Sequence, residues 1–212
     1  MGNRAGLTRV AVVAAAAAIA DREGVEALTL ARLAAELQIK PPSLFNHVRG
    51  LQALRRELKL LALRELCDAL TVVSVGKSRA SGIRALAGAY RDFVRKHPGI
   101  YAETLSAAED DPEIAAVSDR IIGVCSAVMN GYALKRGEAI HALRALRSIG
   151  HGFASLEAAH GFGIPVNIDD SYAWLLETFI AGLEAANSRA ESGARTARKP
   201  KRVRARARRR LS

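Results

Sequence analysis

Residues 29–48 constrain this chain more than any other stretch. Leu30, Leu33, Ala34 and Leu37 recur at i, i+3, i+4 and i+7, one face of a helix, behind Thr29, a residue type that caps helix N-termini. Gln38-Ile39-Lys40 then leads to Pro41-Pro42. Proline suits the first turn of a helix, where its missing N–H is not needed. A second helix is expected from about Pro42 to Val48, with Leu44 and Val48 inward and Arg49-Gly50 as its end. Two short helices joined by a three-residue turn form a helix-turn-helix, which lays its second helix in the DNA major groove. That helix needs small polar groups on its outer edge, and Lys40, Ser43, Asn46 and His47 stand there. Asparagine can bond adenine in bidentate fashion, and Ser or Lys can reach bases or phosphates. Thr29, with the first amides of its helix, suits one phosphate, and Arg49 with the turn after it suits the next.

The rest of the body also reads as helix. A first helix is expected over about Thr8–Glu23, with Leu7 stapled to Val12 and Gly24 as its stop. Beyond the motif, helices are expected over about Leu51–Val73, Ser81–Lys96 and Ile100–Ala107. Others should run from Asp111-Pro112 to about Leu134, from Gly137 to about His160, and from a cap at Asp169 or Asp170 to about Asn187. No stretch alternates as a strand would. The fold class is all-α: a three-helix head (1–50) on a larger helical domain (51–188), with a basic tail (189–212) expected to be disordered for want of apolar residues.

Net charge sharpens this division. The chain carries 32 Lys and Arg against 21 Asp and Glu, a net of +11, but residues 189–212 hold eleven of the bases and one acid. The body is left near neutrality, slightly basic over 1–65 and slightly acidic over 66–188. A head that meets nucleic acid on a body that does not would be charged this way.

Other functions find little support. Cys67 and Cys125 lie in apolar helical surroundings and read as reduced thiols of a cytoplasmic protein. Arg4 and Arg9 before the apolar run Val10–Ala20 mimic a signal peptide, but the run is mostly alanine and belongs to the first helix. No apolar stretch is long enough to span a bilayer, so no membrane partner is expected. Glu138-x-x-His141 has the spacing of a helical carboxylate–histidine metal pair, yet occurs once, and His97, His151 and His160 do not complete a site. Neither a metal nor another cofactor is called for. Nucleophile elbow, P-loop and dinucleotide fingerprint are all missing, so no enzyme is expected.

The stretch Ala16–Leu54, above all Thr29-Leu30-Ala31-Arg32-Leu33-Ala34-Ala35-Glu36-Leu37 and Pro42-Ser43-Leu44-Phe45-Asn46-His47-Val48, resembles the DNA-binding domain of the tetracycline-repressor (TetR) family of transcriptional regulators. His151-Gly152-Phe153-Ala154-Ser155-Leu156-Glu157 and Gly161-Phe162-Gly163-Ile164-Pro165 resemble a ligand domain of the same family. The resemblance implies a phosphate contact at Thr29 and a reading role for Ser43. It also marks departures. Phe45 replaces the usual tyrosine and lacks its phosphate-binding hydroxyl. Gln38 stands where glycine often eases the turn, Lys40 replaces a serine, and Leu51 replaces a lysine. Lys40, Arg49 and Arg55 are the charges available to compensate.

The resemblance further implies a homodimer on a palindromic double-stranded operator, released by a small-molecule effector. Tyr90, Phe93, Tyr101, Met129, Phe153 and Trp174 are candidate effector contacts, and Leu146, Phe153, Leu156, Leu175, Phe179 and Leu183 candidate dimer contacts. Each of these also suits plain core. The competing reading is a nucleic-acid-binding protein dominated by its basic tail, without sequence preference.

Overall fold

The computed structural model describes residues 7–106 and 110–197. Among them are nine α-helices, one 3-10 turn and no strand. Helix α1 (Arg9–Glu23) is capped by Thr8, whose Oγ1 accepts the Ala11 amide at 3.1 Å, and is ended by Gly24 at φ +87°. One face of its apolar run is buried, with Val12, Ala16, Ile19 and Ala20 in the core, while Val10, Ala11, Ala14 and Ala18 are exposed. The run that mimics a signal peptide lies within this helix. A 3-10 turn at Val25–Ala27, not expected from the sequence, leads to α2 (Leu30–Glu36). Thr29 Oγ1 caps α2 by accepting the Arg32 amide at 3.0 Å.

Helix α3 (Pro41–Leu44) is shorter than expected. Past Leu44 the amides of Phe45, Asn46 and His47 reach back three residues, to the carbonyls of Pro42, Ser43 and Leu44. This 3-10 spacing tightens the end of a helix too short to propagate, and only Val48 regains an α-type bond, to Leu44. Leu28, Leu33, Leu44 and Val48 close the head's core against Ile19, Leu54 and Leu58.

Helix α4 (Leu51–Ser74) carries the chain out of the head and packs on three body helices: α5 (Arg79–Lys96), α6 (Pro98–Glu103) and α7 (Pro112–Met129). Gly76 at φ +68° turns the chain from α4 into α5. Asp111 caps α7 by accepting the amides of Glu113 and Ile114. The body closes with α8 (Arg136–Ala158) and α9 (Ile168–Ala197), which pack on α5. Arg91 of α5 joins these three helices. Only 7% exposed, its guanidinium bonds both oxygens of Glu157 at 2.7 Å, reaches Asp169 at 2.8 Å, and lies over the rings of Tyr172 and Phe153.

Several other boundaries differ from expectation. Helix α7 stops at Met129 and not near Leu134, because Tyr132 turns into the core and the Ala133 amide donates to Asn187 Oδ1 of α9 at 2.6 Å. The cap of α9 is Asn167, whose Oδ1 accepts the amides of Asp169 and Asp170. Helix α9 runs past Asn187 to Ala197, so the segment 189–212 begins as helix where disorder was expected; residues 198–212 lie outside the described residues. No described helix is long and apolar enough to cross a membrane.

Candidate DNA-binding head and the joint behind it

Alternation of buried and exposed positions builds the candidate reading face. Leu44 and Val48 point inward, leaving Lys40, Pro42, Phe45, Asn46 and Arg49 exposed and Ser43 and His47 half-buried on the outer side. Thr29 is exposed at the start of α2. Its oxygen is spent on the cap, but its hydroxyl proton remains available to an acceptor. Phe45 is 60% exposed and leaves an apolar surface open to solvent. Gln38 makes the turn at φ +53°, a left-handed conformation reached without glycine.

Charge is distributed unequally around the head. Arg32 and Arg22 are bound to Glu23 and Glu36, and these guanidiniums hold the Glu23 carboxyl down to about 2. That side is neutralised from within. Arg55, expected as a compensating phosphate contact, instead lies 3.7 Å from Glu26 and 3.7 Å from Glu103 of α6. Lys40 and Arg49, at either end of the reading segment, are exposed.

Behind the reading face, α1 meets α6 at a tight joint. The Asp21 carboxylate accepts the amides of Gly99 and Ile100, both at 2.9 Å, and bonds His97 Nδ1 at 2.8 Å. The backbones approach so closely that a Cβ on Gly99 would sit 2.0 Å from the Ala20 carbonyl oxygen. Glycine is required here by space, since backbone faces it. The sequence reading missed Asp21 and Gly99; each looks ordinary until α1 and α6 are brought together.

The next residue of α6, Tyr101, reaches into the body. Tyr101 Oη lies 2.7 Å from Tyr90 Oη of α5 and 2.7 Å from His151 Nδ1 of α8, which is 3.3 Å from Ser155 Oγ. Burial raises both phenols above their ordinary values, so they stay protonated. Gly150 lets Tyr90 approach, since a Cβ there would lie 2.8 Å from the Tyr90 ring. The six candidate effector residues thus do not form one wall. Tyr90 and Tyr101 meet, Phe93 lies against His97 beside the joint, Met129 is core, and Phe153 packs on Tyr172 and Phe162. Trp174, expected among them, is 71% exposed on α9, because the inward stripe of that helix is Tyr172, Leu176, Ile180 and Leu183.

Comparison with known proteins agrees with this architecture. Residues 83–179 match the family described as tetracyclin repressor-like, C-terminal domain. The chain is 40% identical over 185 residues to an uncharacterized HTH-type transcriptional regulator of Bacillus subtilis (strain 168), YobS, spanning 86% of this chain and 96% of that protein. This chain is a transcriptional regulator of the TetR family. A second relative of the regulator, the uncharacterized HTH-type protein Rv0681 of Mycobacterium tuberculosis, is 33% identical over 84% of this chain and 82% of its own length. The fold is shared with a TetR variant of Acinetobacter baumannii AYE solved with minocycline (TM-score 0.64, 22% identity, 86% of this chain and 99% of that one). It is also shared with the Streptomyces coelicolor TetR family protein ActR solved with (S)-DNPA (TM-score 0.61, 21% identity, 86% of this chain and 100% of that one).

The regulator spends three of its six candidate dimer residues within one chain: Leu146, Phe153 and Leu183 are buried in the core. Leu175 and Phe179 are half-buried against it, and Leu156 is 51% exposed. A cleft of about 390 Å³ opens beside Phe153, lined by Phe162, Ile164, Val166, Ile168 and Ser171. Of the metal reading, Glu138 is spent on the start of α8, where Oε2 accepts the Lys135 amide at 2.8 Å. Among the described residues no cluster of three His, Cys, Asp or Glu could hold a metal. Burial pushes the Cys125 thiol up to about 11, so it stays an inert thiol.

Proposed function

We propose that the regulator is a homodimeric cytoplasmic repressor that leaves a palindromic double-stranded operator when a small molecule binds its body. One observation carries this reading. Helix α6 is a six-residue rod, with Tyr101 in the polar chain of the body and the amides of Gly99 and Ile100 held by Asp21 of the head. An effector that takes the place of one partner of Tyr101 shifts α6, and α6 cannot shift without moving α1. Ligand and operator are then coupled, because each favours a different placement of the head.

Base reading is assigned to Ser43, Asn46 and His47, and phosphate contact to Thr29, Lys40 and Arg49, with Pro42 and the exposed Phe45 ring against the groove wall. Tyr90, Tyr101 and His151 are the polar anchors for the effector, and Phe153 its nearest apolar wall. The outer faces of α8 and α9 form the dimer surface. Leu156 and Trp174 are its exposed apolar residues, joined by Leu175 and Phe179. Two-fold pairing would set the reading segments one helical turn of DNA apart.

Selection of bound duplexes from a random pool tests the whole reading. A palindrome is the expected product, and a pool without sequence preference would remove the operator. Trp174→Glu should leave a folded monomer by sedimentation; an unchanged dimer would move the interface elsewhere.

A further inference from the structure

One face of α8 is polar where it meets α5 and α6. Arg147, His151 and Ser155 recur at every fourth position, so they line one stripe of the helix. His151 Nδ1 lies 2.7 Å from Tyr101 Oη and 3.3 Å from Ser155 Oγ. The Arg147 guanidinium faces the Tyr90 and Tyr101 hydroxyls, and its charge partly offsets the burial that keeps both phenols protonated. All four arginines of α5 reach a glutamate of α8 or α9. Arg147, by contrast, has no carboxylate at ion-pair distance among the described residues. It is exposed, and Tyr90 and His151 are half-buried, so the stripe is open to solvent here.

The direction of the hydrogen-bond chain follows from Arg147. A cation beside the Tyr90 oxygen turns the Tyr90 proton away from itself, toward Tyr101 Oη at 2.7 Å. Tyr101 accepts that proton and gives its own to His151 Nδ1. An imidazole that accepts at Nδ1 carries its proton on Nε2. Among the described residues none bonds Nε2; both printed partners of His151 are on Nδ1. The two polar groups at the open end, the Arg147 fork and the His151 Nε2–H, are therefore both donors. Their surroundings are apolar. Leu143, one turn before Arg147, packs on the core, and Cys125 of α7 lies near Tyr90 as a protonated thiol.

We propose that this stripe binds an amphipathic carboxylic acid, with its carboxylate between Arg147 and His151 Nε2 and its apolar part against Leu143 and the Tyr90 ring. This deepens, and rests on, the effector reading of Tyr90, Tyr101 and His151. A guanidinium fork takes both oxygens of a carboxylate, and the acid supplies the anion that the fold does not. Once the carboxylate neutralises Arg147, the Tyr90 proton turns to the ligand. Tyr101 then loses one of its two partners, the exchange that shifts α6.

The test is calorimetry on the full chain with three probes that share one ring system: 2-naphthoate, its uncharged amide 2-naphthamide, and 2-naphthylmethylammonium. Naphthoate is expected to bind at least about tenfold more tightly than the amide, and the ammonium not to bind. Arg147→Gln should cost naphthoate at least about tenfold in affinity and leave the amide and the melting temperature unchanged. Arg136→Gln removes an exposed arginine about 16 Å away along α8 and should change nothing. A full chain that takes no naphthoate overturns the proposal. So does an amide or ammonium that binds as tightly, and so do equal effects of the two variants. The effector reading is scored separately, on the palindrome selected by the full chain. Release of that duplex by naphthoate from the unsubstituted chain, but not from Arg147→Gln, supports both. Naphthoate binding that depends on Arg147 without release supports the ligand class and removes the effector role.

Discussion

The reading segment and the joint behind it lie on opposite sides of one small head and obey opposite rules. From Lys40 to Arg49, buried and exposed side chains divide cleanly: Leu44 and Val48 hold the segment in place, and the polar residues between them touch nothing the fold needs. At the joint no such division exists. Asp21 is at once the acceptor for two α6 amides and the partner of His97, and Gly99 is defined by a carbonyl in another helix. Recognition can therefore vary without loss of the fold, whereas the joint cannot vary without loss of both.

Substitutions at the joint should break this contrast most severely. Gly99→Ala drives a methyl group into the α1 backbone at Ala20 and Asp21, and a loss of about 3 kcal/mol in urea unfolding is expected. A stable Gly99→Ala protein would mean that α6 can stand off from α1, and the joint would not be rigid. Next in size, Asp21→Asn should cost about 2 kcal/mol, since it replaces a charged acceptor of two amides with a neutral one. Asn46→Ala should reverse the pattern: operator affinity falls about tenfold, roughly 1.4 kcal/mol, with an unchanged melting temperature. Unchanged affinity in a protein carrying both Asn46→Ala and Lys40→Ala would sink the proposed reading edge. The smallest effect belongs to the turn. Gln38→Gly should raise stability by about 0.5–1 kcal/mol, the left-handed strain relieved less the extra entropy glycine loses on folding.

A pH measurement sharpens the comparison from the body's side. The Arg91 guanidinium beside Glu157 holds that carboxyl below the ordinary glutamate value. The unfolded chain then takes up the proton first. The stabilisation is complete above the ordinary glutamate range and is lost as pH falls through it toward the lowered value. Glu157→Gln should flatten that part of the acid unfolding curve, while Asn46→Ala should leave it as it is.

Local signals were legible where the partner of a residue lies within a turn of it. Thr8, Thr29 and Asp111 each cap the helix that follows them, as their residue types suggested. The inner edge of the reading segment could be read from Leu44 and Val48 alone. Asn167 was passed over for Asp169 and Asp170 because all three are capping types, and only the backbone shows which amides are left over. Trp174 is a candidate effector contact from the sequence, but the stripe that does turn inward, starting at Tyr172, is set by α5. Nothing near Arg91 in the sequence signals its burial. Its burial depends on Glu157 and Asp169, each far along the chain and each on a different helix.

By itself the sequence determined the helical class, the helix-turn-helix, its capping residues and the outward polar edge, because these follow from spacing and chemistry within a few residues. Tertiary structure alone decided that α6 links Tyr101 to Asp21, that Arg91 is a core residue, and that α8 turns His151 toward Tyr101. Each of these depends on which helices meet and in what direction, and the packing that sets direction is a property of faces brought together across the chain.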